Sequence, residues 1–210
     1  MLTNDTLSTN YNAAIREFAE LRRYAERIED LLQREEQERQ IELHRLSGEQ
    51  ASIADLFADP FPQVFYASVV IADCILLEQH IAGIAKTLKR AAGLRLNIGD
   101  LRGSVIERFR KYSADVLHLD FDISEADWDE MAGLYQLRNC LVHSAGRVDS
   151  QALREFLTHH SIAIEQGRIQ PHKADTVGLL DCTRHFIEAV YTAAMRSLPQ
   201  NAPLLQPTQT

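Results

Sequence analysis

A chain of 210 residues, 45% of them apolar, can bury a real core and is long enough for one domain with an appendage. Nine glycines and six prolines are too few for an all-β protein built on many tight turns. The formal charge of −8 excludes a surface that is basic throughout, so phosphate contacts with long nucleic acid would need a local basic face.

The N-terminal "MLTNDTLSTNYN" has no basic segment followed by an apolar block, so it does not read as a signal peptide. From Tyr11 to about Leu46 the pattern is helical, without glycine or proline. Tyr11, Ala14, Phe18, Leu21, Ala25, Ile28 and Leu32 recur at steps of three and four and make one stripe. The stripe fails in "QREEQERQ", which predicts a solvated end. This long helix, within an extension over residues 1–50, either leans on its own domain or pairs in a short coiled coil with a partner chain. "SGEQASIADLFADPFP" is a connector, with Gly48, Pro60 and Pro62 as breakers.

Val64 to about Ala92 reads as one long helix, apolar nearly all round up to Leu77 and therefore deeply buried. Its apolar run "VFYASVVIADCILL" is interrupted by Asp73 and falls short of the roughly 20 residues a membrane span requires, so no membrane association is expected. "GLRLNIGD" is a loop, and Asp100 is the expected N-cap of a helix through about Tyr112. "HLDFDISEADWDE" is acidic and irregular. Ser124 opens the next helix, with Asp127 three residues on in an approximate capping box, and Gly146 is its expected stop.

"SIAIEQGRIQP" predicts a small β-hairpin across "QG". "ADTVGLLDCTRHFIEAVYTAAMRSL" is the last core-facing helix, and the tail over 199–210 is polar and proline-bearing, the composition of a disordered segment. The fold class is all-α, an antiparallel helical bundle over residues 60–198. Cys74, Cys140 and Cys182 lie far apart without C-x-x-C spacing, which fits a reducing cytosol and a cytoplasmic protein. No spacing suits calcium or zinc, and there is no P-loop, G-x-G-x-x-G or G-x-S-x-G, so no metal or cofactor is expected. Trp128, Tyr112 and Tyr135 suit core packing better than base stacking.

The stretch "LYQLRNCLVHSAGRVD" (residues 134–149) needs its own account. At about 100° per residue, Leu134, Leu137 and Leu141 fall on one side, which must face the core. Asn139 and His143, four apart, stack on roughly the opposite side, Arg138 lies between the faces, and Val142 and Tyr135 add an apolar flank. Spacing alone does not single out Arg138 and His143. Arg39 with His44 and Arg154 with His159 are also five apart; the first lies on the charged helix, where a salt-bridge role is expected, and the second lacks the asparagine and the leucine anchor. Taken without any family likeness, the residues favour the plainer reading, in which Arg138 pairs with an acidic neighbour and His143 is a solvated helix-end histidine that suits the dipole.

"LRNCLVH" with its closing glycine resembles the motif of the HEPN superfamily, an arginine, often an asparagine, then a histidine four to six residues after the arginine. "SVVIADCILLEQHIAGIAKTL" is similar to the family helix that brings an acidic residue, here Glu78, toward the motif. The resemblance covers residues 60 to 197 and leaves out the N-terminal helix. It implies a metal-independent endoribonuclease acting as a homodimer, a toxin or an effector of defence against phage, with two motifs meeting at the two-fold axis. His143 would be general base or acid, Arg138 the phosphate and transition-state stabiliser, Asn139 the group that orients His143 or holds the phosphate, and Glu78 a brace for Arg138. The N-terminal helix would serve oligomerisation or recruit an antitoxin or other regulatory protein. Ala145 stands where some family toxins carry a modifiable tyrosine, and Ser144 where many relatives have asparagine. The alternative is a catalytically silent HEPN-like module for dimerisation or sensing within a larger complex, which the acidic charge favours.

Overall fold

The computed structural model describes residues 2–45 and 61–198. Among these residues the fold is an all-α helical bundle with one small hairpin. The helices are α1 (Leu2–Arg45), α2 (Phe61–Ala91), α3 (Val105–Lys111), α4 (Glu125–His143), α5 (Gln151–His159) and α6 (Lys173–Ser197). Strands β1 (Ala163–Glu165) and β2 (Arg168–Gln170) lie between α5 and α6. The expected connector up to residue 60 and the polar tail from Pro199 lie outside the described residues.

α1 starts at Leu2, ahead of the expected Tyr11, because nothing in the first ten residues breaks a helix and Leu7 carries the stripe one heptad further. Leu7, Ala14, Phe18, Ala25 and Leu32 are buried, so the stripe is covered within this chain, as a helix leaning on its own domain requires. Residues 33–38 are all exposed, as "QREEQERQ" predicts. α2 corrects an expectation. It is not buried all round: Val64 and Ile75 are exposed, while Tyr66, Val69, Val70, Asp73, Leu77, Ile81, Ile84 and Leu88 form a one-sided stripe. By length and composition Pro62–Ala91 is the one described helix apolar enough to cross a membrane, with 39% of its most apolar window buried. Its Pro62 falls in the first turn, where no intrahelical N–H is needed.

α3 is capped by Ser104 and not by Asp100. The Ser104 hydroxyl accepts from the Glu107 amide at 3.2 Å and the Glu107 carboxylate accepts from the Ser104 amide at 2.8 Å, a capping box that holds the Glu107 carboxyl below its usual range. Asp100 belongs instead to a 3-10 turn over Ile98–Asp100, where it accepts from the Asn97 amide at 2.8 Å. Ser124 does open α4: its hydroxyl accepts from the Asp127 amide at 3.1 Å and donates to the Asp127 carboxylate at 2.7 Å. The hairpin forms across Gln166 and Gly167, both at positive φ (48° and 78°), the pairing that a two-residue turn matched to strand twist demands. α5 is an element without a counterpart in the sequence reading.

The chain forms two compact units, Met1–Glu17, Ile75–Ala132 and Thr183–Thr210 in one, Phe18–Cys74 and Gly133–Cys182 in the other. In the second, Ala25, Leu32, Phe65, Tyr66, Val69 and Leu180 form a buried cluster. In the first, Phe109 stacks on Phe121 and tilts against Trp128, which meets Phe186 edge-on. Trp128 and Tyr112 are buried, so these rings serve the core. The first unit also holds a polar relay that runs from the core to the surface: His80 Nδ1 lies 3.1 Å from the Tyr191 hydroxyl and Nε2 lies 3.0 Å from the carboxylate of the exposed Glu17. Burial, and then the Glu17 charge, push the Tyr191 hydroxyl well above its ordinary pKa, so it stays protonated. His80→Leu would leave that hydroxyl without its ring partner, and a loss of about 1–3 kcal/mol is expected, read from the urea midpoint at constant m-value.

Candidate functional site

α4 is anchored as its leucine spacing dictates. Leu134 and Leu137 are each 1% exposed, and Leu141 is half-buried. Gly133 lies directly under the ring of Phe156 on α5. Tyr135 was expected beside Val142 on an outward apolar flank, but it is buried, its hydroxyl donating to the Cys74 carbonyl at 3.3 Å. Only Val142 faces out. The inward arc is wider than the leucines alone imply, because a tyrosine can be buried once its hydroxyl finds a carbonyl.

The other side of α4 carries the motif. Asn139 and His143 are exposed and Arg138 is half-buried. The Arg138 guanidinium donates to Asn139 Oδ1 at 3.0 Å, which fixes the amide's orientation. His143 makes no hydrogen bond or ion pair with a described residue. Glu78 belongs to the other compact unit, where it is exposed. The Arg39 of the alternative Arg39/His44 pair is held by Glu36 at 2.8 Å, a salt bridge on the charged helix as expected. Arg154 donates to the Val148 carbonyl at 3.0 Å.

Asn139 and His143 open onto a cleft of about 420 Å³ that Ser144, Arg147 and Asp149 also line. These three come from the segment after α4, and the chain holds that segment tightly. α4 ends at His143, and both the Ser144 and Gly146 amides return to the Cys140 carbonyl, at 3.0 and 3.1 Å. The left-handed residue at the helix end is Ala145 (φ 48°), with Gly146 (φ 77°) following it, so Gly146 does not act alone as the stop. The Ile169 amide donates to the Gly146 carbonyl and the Val148 amide to the Gly167 carbonyl, at 2.9 and 3.0 Å, which lays residues 146–148 along the hairpin. Ser150 then caps α5, accepting from the Leu153 amide at 3.0 Å. Arg147 and Asp149 are exposed on this braced loop, and neither side chain has a hydrogen bond or ion pair with a described residue.

The Cys140 thiol donates to the Arg147 carbonyl at 2.9 Å, and burial, with a smaller push from Asp149, raises its pKa. It therefore stays a neutral thiol near neutrality and does not supply a nucleophile to the cleft. What the cleft offers is an imidazole, an amide oriented by a guanidinium, a second guanidinium, a hydroxyl and a carboxylate. That set can bind a phosphodiester and move protons at it. Sequence reasoning missed Arg147 and Asp149, for which "GRVD" was the only local sign.

The backbone at Ala145 makes a direct prediction. An L-residue in the left-handed region carries roughly 1–2 kcal/mol of strain that glycine avoids. Ala145→Gly is therefore expected to raise stability by about 1 kcal/mol, seen as a rise of about 2–4 °C in the thermal midpoint. No protein-family model, characterised protein or solved structure matches this chain.

Proposed function

We propose that this chain is a metal-independent endoribonuclease of the HEPN type, a cytoplasmic toxin or anti-phage effector that acts as a homodimer. The observation that carries this reading is the outward placement of Asn139 and His143 on a leucine-anchored helix, over a cleft that Arg147 also lines. RNA brings its own nucleophile. His143 of one copy takes the 2′-hydroxyl proton as the oxygen attacks phosphorus, and His143 of the second copy protonates the departing 5′-oxygen. The products are a 2′,3′-cyclic phosphate and a 5′-hydroxyl. Arg138 and Arg147 stabilise the charge on the phosphorane-like oxygens, Asn139 orients phosphate or imidazole, and Glu78 braces Arg138 in the assembled dimer. An antitoxin or other regulator meets the exposed charged end of α1.

The net charge of −8 favours a second reading, a silent module for dimerisation or sensing. Induced expression separates the two. The nuclease arrests growth and fragments cellular RNA, and His143→Ala and Arg138→Ala each abolish both effects. Intact RNA in all three strains, together with no cleavage by the purified wild type, supports the silent module.

A further inference from the structure

The acidic charge of this chain is unevenly distributed. Residues 86–111 hold eight lysines and arginines against two acidic residues, Asp100 and Glu107, and three of the chain's four lysines lie there. Helix-end electrostatics accounts for Lys89 and Arg90, in the last turn of α2, and for Arg108, Arg110 and Lys111, in the last turn of α3. It leaves Lys86 on α2 and Arg95 and Arg102 in the segment between the two helices, and the chain ties these elements together within one compact unit. The Leu94 amide returns to the Lys89 carbonyl at 3.1 Å, the Lys89 ammonium donates to the Asn97 side chain at 2.5 Å, and the Tyr112 hydroxyl donates to the Leu96 carbonyl at 2.8 Å. The end of α2, the loop and the turn after α3 therefore form one surface.

Two carboxylates are too few to neutralise eight cations. Asp100 accepts from the Asn97 amide, and Glu107 from the Ser104 amide with Lys111 one turn on. Arg110 pairs with Glu125 and lies over the Trp128 ring. Lys86, Arg90, Arg95 and Arg102 are exposed and have no ion pair or hydrogen bond with a described residue. Structural ion pairing thus does not explain them.

We propose that this surface is a docking platform for the sugar-phosphate backbone of single-stranded RNA, separate from the residues of the cleft. The choice of RNA among polyanions rests on the ribonuclease reading. Three of the four unpartnered cations are arginines, whose planar fork suits phosphate oxygens. An anionic membrane is the poorer fit, because Leu96 is the one exposed large apolar side chain in the stretch, and stable surface insertion needs an apolar face.

The test uses full-length His143→Ala protein, which binds without cutting, and a fluorescein-labelled single-stranded RNA titrated at 50 to 300 mM salt. Arg90→Gln, Arg95→Gln and Arg102→Gln together are expected to weaken binding at least tenfold at the low-salt end. They should also flatten the log–log salt slope by about two, since each phosphate contact on a single strand contributes about 0.7. A control with Arg16, Arg27 and Arg34, all exposed, changed to Gln should bind as the parent does. Unchanged binding by the first triple variant, an equal loss in the control, or capture of phosphatidylserine vesicles in place of RNA would overturn the platform. In the cleavage-competent protein the same triple variant should raise KM and leave kcat unchanged. Cleavage with KM unmoved sinks the platform alone, and patch-dependent binding by a wild type that cuts nothing sinks the ribonuclease reading alone.

Discussion

Replacing His143 by alanine should slow RNA cleavage by about 10²- to 10⁴-fold, the range lost when a positioned general acid or base is removed. The substitution should cost almost no stability. His143 is exposed at the last residue of α4 and makes no hydrogen bond or ion pair with a described residue, so truncation neither empties a cavity nor strands a partner. The two measurements therefore separate: kcat collapses while the thermal midpoint stays within about one degree. On the proposed mechanism Arg147→Ala should also lower kcat, by removing a guanidinium that lines the cleft. Arg138→Ala acts in two ways, removing a cation and freeing the Asn139 amide that it fixes. Undiminished cleavage by His143→Ala would remove histidine from the chemistry.

Gly133→Ala should destabilise the chain, the reverse of what the substitution does in most helices. In most helices, glycine to alanine gains about 1 kcal/mol. Here a β-carbon would lie 2.2 Å from Cδ2 of Phe156 and 2.7 Å from its Cγ and Cε2, so ring or backbone must move. Overpacking of that kind costs about 1–3 kcal/mol, which outweighs the propensity gain and reverses the sign. Phe156 belongs to α5, whose cap Ser150 directly follows Asp149, so the same shift should reduce cleavage. The double substitution with Phe156→Ala provides the check. In that background Gly133→Ala should turn neutral or stabilising in a urea titration, a coupling of at least about 1 kcal/mol. Destabilisation that persists without the ring would place the cause elsewhere.

Much of the helical organisation was legible because burial in a helix leaves a period. Leu134 and Leu137 predicted which side of α4 is anchored, and with that the outward placement of Asn139 and His143. The hairpin was legible because "QG" places a glycine, which adopts positive φ freely, between two short apolar runs. Boundaries were less so. Asp100 and Ser104 are both good caps, and what selects Ser104 is the reciprocal bond with Glu107, a competition that residue type alone does not resolve. α5 was missed because nine residues give little period and its polar end, His159 and His160, blurs the stop. Arg147 and Asp149 could not be read as cleft residues, since what places them is backbone pairing of residues 146–148 with Gly167, Arg168 and Ile169 of the hairpin. Tyr135 turned inward for a similar reason, as the carbonyl that receives its hydroxyl belongs to Cys74.

The most direct measurement compares two oligonucleotides in excess EDTA with the purified chain: an all-ribose strand that it cuts, and the same strand with one 2′-deoxy residue at the cut position. Cleavage of the first, leaving a 2′,3′-cyclic phosphate, and none at the substituted position of the second is the predicted result. Equal cleavage of both, or cleavage that EDTA abolishes, would contradict a histidine-driven attack by the RNA's own hydroxyl.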